Sequence, residues 1–211
     1  MTDMSVGKRS PTLVVVTRTN YHHGALREAL LKATLELIET EGIGAVSLRQ
    51  VARTAGVSPG APYHHFPDRA ALLTALSDEG FHRLAETLTQ AHEAATTPAE
   101  ALEAILNAYV GFARANPAYF RLMFRPELKQ SHKSESGSEA GHAAFAVLES
   151  TVAACVPAAE REVVAITMWS LVHGFASLWL DGQLDHRTDD PAGMAHRVAA
   201  LVTNLTTTAN S

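Results

Sequence analysis

Helical spacing of apolar residues runs through almost the whole chain after residue 19. Separations of four, three and four residues place on one helix face Leu26, Leu30, Ala33 and Leu37. No stretch of useful length alternates apolar and polar residues as a half-buried strand does. The chain must therefore bury helix faces against one another, so we predict an all-α fold of about nine helices.

Glycines, prolines and capping residues indicate how these helices are grouped. Residues 1–19 carry Gly, Ser, Pro and scattered Lys and Arg, and we expect a flexible tail there. Residues 20–82 are predicted to form a compact three-helix head, followed by the start of a long fourth helix that Asp68 caps. Residues 83–211 are predicted to form a larger helical body.

Within the body, the polar and glycine-rich stretch at residues 129–141 predicts a flexible loop. The last three helices are expected at about 139–155, 158–182 and 191–207. The final helix is expected to bury one stripe formed by Met194, Val198, Leu201 and Leu205.

Charge and cysteine content restrict the class of protein. Residues 1–70 hold 8 Lys or Arg against 6 Asp or Glu, whereas residues 71–211 hold 9 against 16, giving a net charge of −5. A mildly basic head on an acidic body suits a protein that places one end against a polyanion. The single Cys155 excludes an intrachain disulfide and a cysteine zinc cluster, so we expect a reducing cytoplasm.

The segment from Val163 to Leu180 contains no Asp, Glu, Lys or Arg and could nearly span a bilayer. The alternative is a helix buried in a helical core or in a subunit interface. Internal Ser170 and His173, together with flanking acidic residues, favour this alternative. We therefore expect no membrane partner.

Motifs of catalysis are absent from the sequence. It contains no H-E-x-x-H, G-x-S-x-G or P-loop pattern, so no catalytic residue, cofactor or metal site is predicted. His64 and His65 are adjacent and diverge by about 100° on a helix, whereas helical metal ligands lie three or four residues apart. A histidine-dependent metalloenzyme on a helical scaffold is the weaker alternative, which stoichiometric metal in the purified protein would favour.

The stretch at residues 47–66 matches a helix-turn-helix, whose second helix enters the DNA major groove. Ser47 and Gln50 form a capping-box pattern for its first helix, and Ser58 is expected to cap the second. Inward-facing side chains are predicted at Val57, Pro62 and Phe66. The same spacing turns outward, or to the flank, Gly60, Ala61, His64 and His65.

The sequence SLRQVARTAGVSPGAPYHHFPDRAALL resembles the DNA-binding head of the TetR family of transcriptional repressors, and the resemblance covers about residues 21–80. YHHGALREALL and MWSLVHGFASL also resemble a subfamily with a Trp…His-Gly signature in its C-terminal domain. The resemblance implies a bacterial, cytoplasmic homodimer, paired through its last two helices and nucleoid-associated when bound. It also implies a repressor that a small, largely apolar effector releases from a near-palindromic operator.

Site residues are carried over from this resemblance by position. Phosphate contacts are implied for Ser58, Tyr63, His65 and Arg69. Positions near base edges are implied for Arg49, Pro59, Gly60 and Ala61. Arg49 is the candidate for bidentate hydrogen bonding to guanine, although it could instead pair with an acid on a solvated face. His64 stands where many relatives have a basic residue, so the charge of its contact depends on pH.

The body is expected to hold the effector. Aromatic side chains, one methionine and one buried-looking histidine predict a pocket for an apolar ligand, although ordinary helical core is the alternative for each of them. The candidates are Tyr109, Phe112, Tyr119, Phe120, Met123, Phe124, Phe145, Trp169 and His173. Gly174 inside an apolar helix suggests close packing there, against the partner subunit in a dimer.

Overall fold

The computed structural model describes residues 23–131, 135–188 and 190–208. Over these residues the chain forms nine α-helices and two short 3₁₀ helices without any strand, which confirms the all-α prediction. The predicted tail at residues 1–19 lies outside the described residues. The α-helices are α1 (His23–Glu41), α2 (Leu48–Thr54), α3 (Arg69–Glu93), α4 (Pro98–Ala115), α5 (Pro117–Met123), α6 (Pro126–Ser131), α7 (Glu135–Cys155), α8 (Arg161–Leu180) and α9 (Pro191–Thr208).

The head is built from α1, α2, the two 3₁₀ helices Ile43–Ala45 and Ala61–His64, and the first turns of α3. Ser47 caps α2 by accepting a hydrogen bond from the Gln50 amide, and the Asp68 carboxylate caps α3 by accepting one from the Ala71 amide. The apolar faces meet in a core that contains Leu30, Leu37, Val51, Ala52, Phe66, Leu72 and Leu76.

The long helix α3 joins the head to the body. It runs without interruption from Arg69 to Glu93, so the predicted division at residue 82 falls inside a helix that both parts share. Its buried positions continue from Leu72 in the head to Leu84 and Leu88 in the body. A displacement of α3 would therefore move buried side chains in both the head and the body.

The body packs α4 at its centre, in contact with α3, α7, α8 and α9. A capping box between Thr97 and Glu100 fixes the start of α4, and Asn116 followed by Pro117 ends it. The predicted inner face of α4 is buried, as shown by Leu102, Ile105, Leu106, Tyr109, Val110 and Ala113.

Two details of the body differ from the sequence-based expectation. The loop predicted at residues 129–141 is largely wrong, because α6 extends to residue 131 and α7 already begins at residue 135. Although α7 begins with polar residues, it buries one side chain every four residues along one face: Ala140, Ala144 and Leu148.

The second difference concerns α9. Its buried face consists of Ala195, Ala199 and Val202, whereas Leu201 is 60% exposed. Small side chains therefore supply most of the inward face of α9, and the predicted stripe is wrong at Leu201. The side chain of Leu205 lies outside the described residues.

Candidate functional site

The second helix of the helix-turn-helix is shorter and tighter than predicted. Residues Ala61–His64 form a 3₁₀ helix that Gly60 precedes, and no side chain caps its start. The predicted cap by Ser58 is therefore wrong: its backbone carbonyl accepts a hydrogen bond from the Ala61 amide over 3.0 Å. Gly56, at a φ of 67°, makes the turn between the two helices.

The predicted facing of this motif is confirmed. Pro62 and Phe66 are buried and Val57 is half-buried, whereas Gly60 and His64 are exposed. Two of the nine predicted DNA-contact residues, Ala61 and His65, are half-buried. The other seven are exposed: Arg49, Ser58, Pro59, Gly60, Tyr63, His64 and Arg69. Most predicted contacts are thus accessible on α2, the segment after it and the start of α3.

Arg69 has a structural partner that its position in the sequence did not suggest. Its Nε donates a hydrogen bond to the Val46 carbonyl over 2.8 Å, and an Nη atom donates to the Ile43 carbonyl over 2.7 Å. The guanidinium therefore ties the start of α3 to the turn that precedes α2. Its contact with phosphate stays a prediction, alongside this role in holding the head together.

Phe66 anchors the 3₁₀ helix to the head. Its side chain is only 3% exposed, and the guanidinium of Arg27 from α1 lies 5.7 Å from the centre of its ring. The neighbouring His65 ring lies 6.4 Å from the Phe66 ring. A buried aromatic side chain thus helps to hold residues 59–64 in place on the head.

The body contains a small apolar cavity between α3, α4, α7 and α8. Its volume is about 30 Å³, far below the roughly 300–1,000 Å³ of ordinary ligand pockets. Among the residues whose side chains the structure describes, its walls include no charged group. They are Phe81, Leu84, Leu88, Ile105, Leu106, Tyr109, Phe124, Gly141, Ala144, Phe145, Leu148, Trp169 and Val172.

Four of the nine predicted pocket residues line this cavity: Tyr109, Phe124, Phe145 and Trp169. Two others lie directly behind it, since the rings of Phe120 and His173 are 5.3 Å apart and the ring of His173 is 4.4 Å from that of Phe124. The remaining three are buried without lining the cavity: Phe112, Tyr119 and Met123.

Tyr119 and Met123 belong to the contact between α5 and α3. The Tyr119 hydroxyl donates to the Glu79 carboxylate over 2.9 Å. A Cβ atom added at Gly80 would lie 2.8 Å from the Met123 sulfur, so this glycine permits the close approach of the two helices.

Sequence reasoning missed most of the cavity walls. The α3 residues Phe81, Leu84 and Leu88 line it, as do Gly141, Ala144 and Leu148 of α7. Their helical spacing marks them as inward-facing, but no local signal separates a cavity wall from ordinary core.

A hydrogen-bonded group of side chains forms the polar part of the cavity region. The Tyr109 hydroxyl lies 2.8 Å from Nδ1 of His173, within hydrogen-bonding distance. Burial raises the pKa of Tyr109 above its ordinary value and lowers the pKa of His173. Both groups are therefore neutral at neutral pH.

The lowered pKa of His173 predicts an acid-sensitive body. The unfolded chain takes up a proton at this site near pH 6.5, whereas the folded chain resists it, so the contribution to stability is lost as the pH falls below that value. His173→Gln should reduce the loss of unfolding free energy between pH 7.5 and pH 5.5, measured by urea denaturation. An equal loss in His173→Gln and in the control His142→Gln, at an exposed position of α7, would contradict this role.

One face of α8 is apolar and uncovered. Val163, Ile166, Leu171 and Leu178 are 46% to 68% exposed, and a Cβ atom at Gly174 would meet nothing within 4 Å. Over the described ranges, α8 is also the one helix long and apolar enough to cross a membrane, with 22% of that window buried. Length and composition alone do not separate a membrane span from a face that another subunit covers.

Two family models match the chain over most of its length. Residues 30–76 match the model for bacterial regulatory proteins of the tetR family, and residues 102–202 match a tetracyclin repressor-like C-terminal domain. The chain belongs to the tetR family of bacterial regulatory proteins. It is a DNA-binding transcriptional regulator, and the second match includes α8 within the family's C-terminal domain.

Solved structures and a curated relative agree with this assignment. A protein of unknown function from Rhodococcus sp. RHA1 is 33% identical over 91% of this chain and 98% of its own, with a TM-score of 0.75. A tetR-family regulatory protein from Rhodococcus RHA1 is 23% identical, covering 86% and 96%, with a TM-score of 0.69, which supports the shared fold. The regulator BetI of Rhizobium meliloti (strain 1021) is 38% identical over 80 residues, or 38% of this chain and 39% of BetI.

The comparisons and the described side chains give no support to the metalloenzyme alternative. The matched models are those of transcription regulators. In the part of the chain that the structure describes, no group of three or more His, Cys, Asp or Glu residues could hold a metal ion.

Proposed function

We propose that the protein is a homodimeric repressor that a small, largely apolar effector releases from its operator. The observation that carries this proposal is the continuity of α3, which begins beside the helix-turn-helix and supplies Phe81, Leu84 and Leu88 to the cavity wall. One helix therefore belongs both to the DNA-binding head and to the candidate effector site.

The size of the cavity gives the proposal a mechanism. A cavity of about 30 Å³ has no room for an effector molecule, so binding must displace at least one wall. Movement of α3 or of the helices packed on it would change the spacing of the two heads, which must fit successive major grooves. The effector acts only to the extent that it binds the expanded state more tightly than the closed one.

The uncovered face of α8, with the adjoining part of α9, is the proposed dimer interface. Large exposed apolar surfaces commonly mark sites of protein association. Leu201 of α9 is another exposed apolar side chain, and the absence of a side chain at Gly174 leaves space for a partner helix. We expect a cytoplasmic protein without a membrane anchor or enzymatic activity. The division into a tail at residues 1–19, a head at 20–82 and a body at 83–211 belongs to the same proposal.

Binding to DNA from the protein's own promoter region tests the proposal directly. In a fluorescence-polarisation titration, we expect the promoter fragment to bind far more tightly than a random duplex of the same length at the same salt concentration. Equal affinities for the two duplexes would refute specific operator binding.

Arg49 provides a sharper test of base reading. Arg49→Ala should weaken operator binding by about 1–3 kcal/mol and leave random DNA nearly unaffected if the guanidinium reads a guanine. Arg53→Ala, at an exposed position of the same helix that is not among the predicted contacts, serves as the matched control. An equal loss by Arg49→Ala on both duplexes would identify a phosphate contact instead.

The class of effector follows from the cavity walls rather than from the relatives. The FadR regulator of Bacillus subtilis, whose structure is a complex with stearoyl-CoA, is 14% identical to this chain and has a TM-score of 0.66. At that identity the shared fold carries no information about the ligand of this chain. The described walls are apolar and aromatic, which favours an effector with an apolar body.

A further inference from the structure

The cavity has chemically distinct parts. Leu84, Leu88, Ile105 and Leu148 offer only hydrocarbon to a ligand, whereas Tyr109 of α4 and Trp169 of α8 carry a hydroxyl and an indole N–H. No charged side chain is among the described walls, and a buried ion without a partner is strongly destabilised. The cavity therefore disfavours carboxylates, phosphates and ammonium groups.

A hydrogen bond from α4 to α8 holds one of these polar groups, the Tyr109 hydroxyl. An indole nitrogen can only donate, so Trp169 offers a donor to an oxygen atom in the cavity. The Tyr109 hydroxyl lies 2.8 Å from Nδ1 of His173, which is packed against Phe120 and Phe124 and is not itself in the cavity wall. His173 thus fixes the orientation of the Tyr109 hydroxyl.

The Tyr109–His173 pair can hydrogen-bond either to a ligand group that donates or to one that accepts. When Nδ1 of His173 is unprotonated, Tyr109 donates to it and keeps a lone pair for a ligand hydroxyl. When Nδ1 carries the proton, as in the other neutral tautomer, Tyr109 accepts from His173 and can donate to a ligand carbonyl. The pair adapts to a hydroxyl or a carbonyl without creating a charge.

We propose that Tyr109, Trp169 and His173 recognise one neutral oxygen, a hydroxyl or a carbonyl, on an otherwise apolar effector. The inference rests on the proposed effector function and specifies the ligand of the same site. Tyr109 and Trp169 touch the ligand oxygen, and His173 acts through Tyr109 as a positioning residue.

The outer wall is where such a ligand enters. The rings of Phe145 and Trp169 lie 5.0 Å apart, and Trp169 is 36% exposed. Both rings line the cavity and Trp169 is partly exposed, so we expect this pair to rotate outward when a ligand enters. The Trp169 N–H is then positioned to donate to the ligand oxygen.

Four compounds of similar size test the selectivity of the full-length protein by calorimetry: 4-ethylphenol, 4-ethyltoluene, 4-ethylbenzoate and 4-ethylbenzylammonium. We expect 4-ethylphenol to bind about 2- to 10-fold more tightly than its methyl counterpart 4-ethyltoluene, since one hydrogen bond distinguishes them. The two ions should bind at least about 10-fold more weakly than 4-ethylphenol, because their charges would be buried without partners.

Tyr109→Phe should reduce the ratio of the 4-ethylphenol and 4-ethyltoluene affinities to about one. Trp169→Phe, which keeps an aromatic ring and removes the N–H, should reduce the same ratio and provides a second variant if Tyr109→Phe is unstable. The ratio of affinities is informative because a general loss of packing would weaken the binding of both compounds equally.

Three results would overturn the inference: preferential binding of either ion, an unchanged ratio in both variants, or binding of none of the four compounds. Promoter binding by the unliganded protein is measured in parallel. Specific DNA binding together with any of those results rejects the oxygen-recognition site and leaves the DNA-binding proposal standing, whereas loss of specific DNA binding would reject the regulator proposal itself.

Discussion

Gly174→Leu is expected to dissociate the proposed dimer while leaving the fold of each subunit intact. Within one chain a Cβ atom at residue 174 meets nothing within 4 Å, and replacing a helical glycine by leucine improves helix propensity by about 0.8 kcal/mol. At a closely packed interface the added side chain costs about 1–3 kcal/mol, and two-fold symmetry places it there twice. A total of about 2–6 kcal/mol corresponds to a dimer that is weaker by about 30-fold or more.

Sedimentation velocity over a dilution series measures this effect, and thermal unfolding at a concentration where both proteins are monomeric measures the fold. Gly111→Leu is the matched control, since Gly111 is an exposed glycine within α4, four residues before its end, whose added Cβ also meets nothing within 4 Å. It should raise helix propensity equally and leave dimerisation unchanged. A Gly174→Leu protein that dimerises like wild type would move the interface away from this face of α8.

The same experiment decides between the two explanations of the apolar face of α8. A subunit interface predicts that Gly174→Leu yields soluble monomers that bind operator weakly, because one head alone contacts one half-site. A membrane-facing helix predicts instead that wild-type protein needs detergent to remain in solution and that Gly174→Leu changes nothing.

Local signals in the sequence predicted the head well. The caps at Ser47 and Asp68, the turn at Gly56 and the inward-facing Phe66 all depend on residues within one or two turns of each other. The cap at Ser58 failed because residues 61–64 adopt a 3₁₀ helix that begins later than the sequence suggested.

Contacts between distant residues could not be predicted in this way. Arg69 reaches carbonyl groups 23 and 26 residues earlier in the chain, which helical spacing does not encode. The cavity shows the same limit: its aromatic residues were identifiable by type, but Leu84, Leu88 and Leu148 look like any other core leucine. Whether a buried side chain lines a cavity depends on how imperfectly several helices fit together, which is a property of the packing.

The largest effect on the head is expected from Phe66→Ala. Truncation of a buried phenylalanine costs about 3–5 kcal/mol, and Phe66 holds the 3₁₀ helix against α1 and α3 in a small core. The head should unfold locally, because a core of this size cannot absorb such a loss, and operator binding should disappear. Phe66 belongs to a core that continues along α3 into the body. The body should nevertheless remain folded, because its packing is made among α3, α4, α7, α8 and α9.

Hydrogen exchange distinguishes this outcome from general unfolding. Amides of α1 and α2 should lose protection in Phe66→Ala, whereas those of α4 and α8 should keep it. Tyr63→Ala is the matched control, because this aromatic residue lies three positions before Phe66, in the 3₁₀ helix Ala61–His64, and is 54% exposed. Its removal should change stability by no more than about 0.5 kcal/mol and still weaken DNA binding through loss of the predicted phosphate contact. Equal protection of α1 and α2 in both variants would show that Phe66 does not anchor the head.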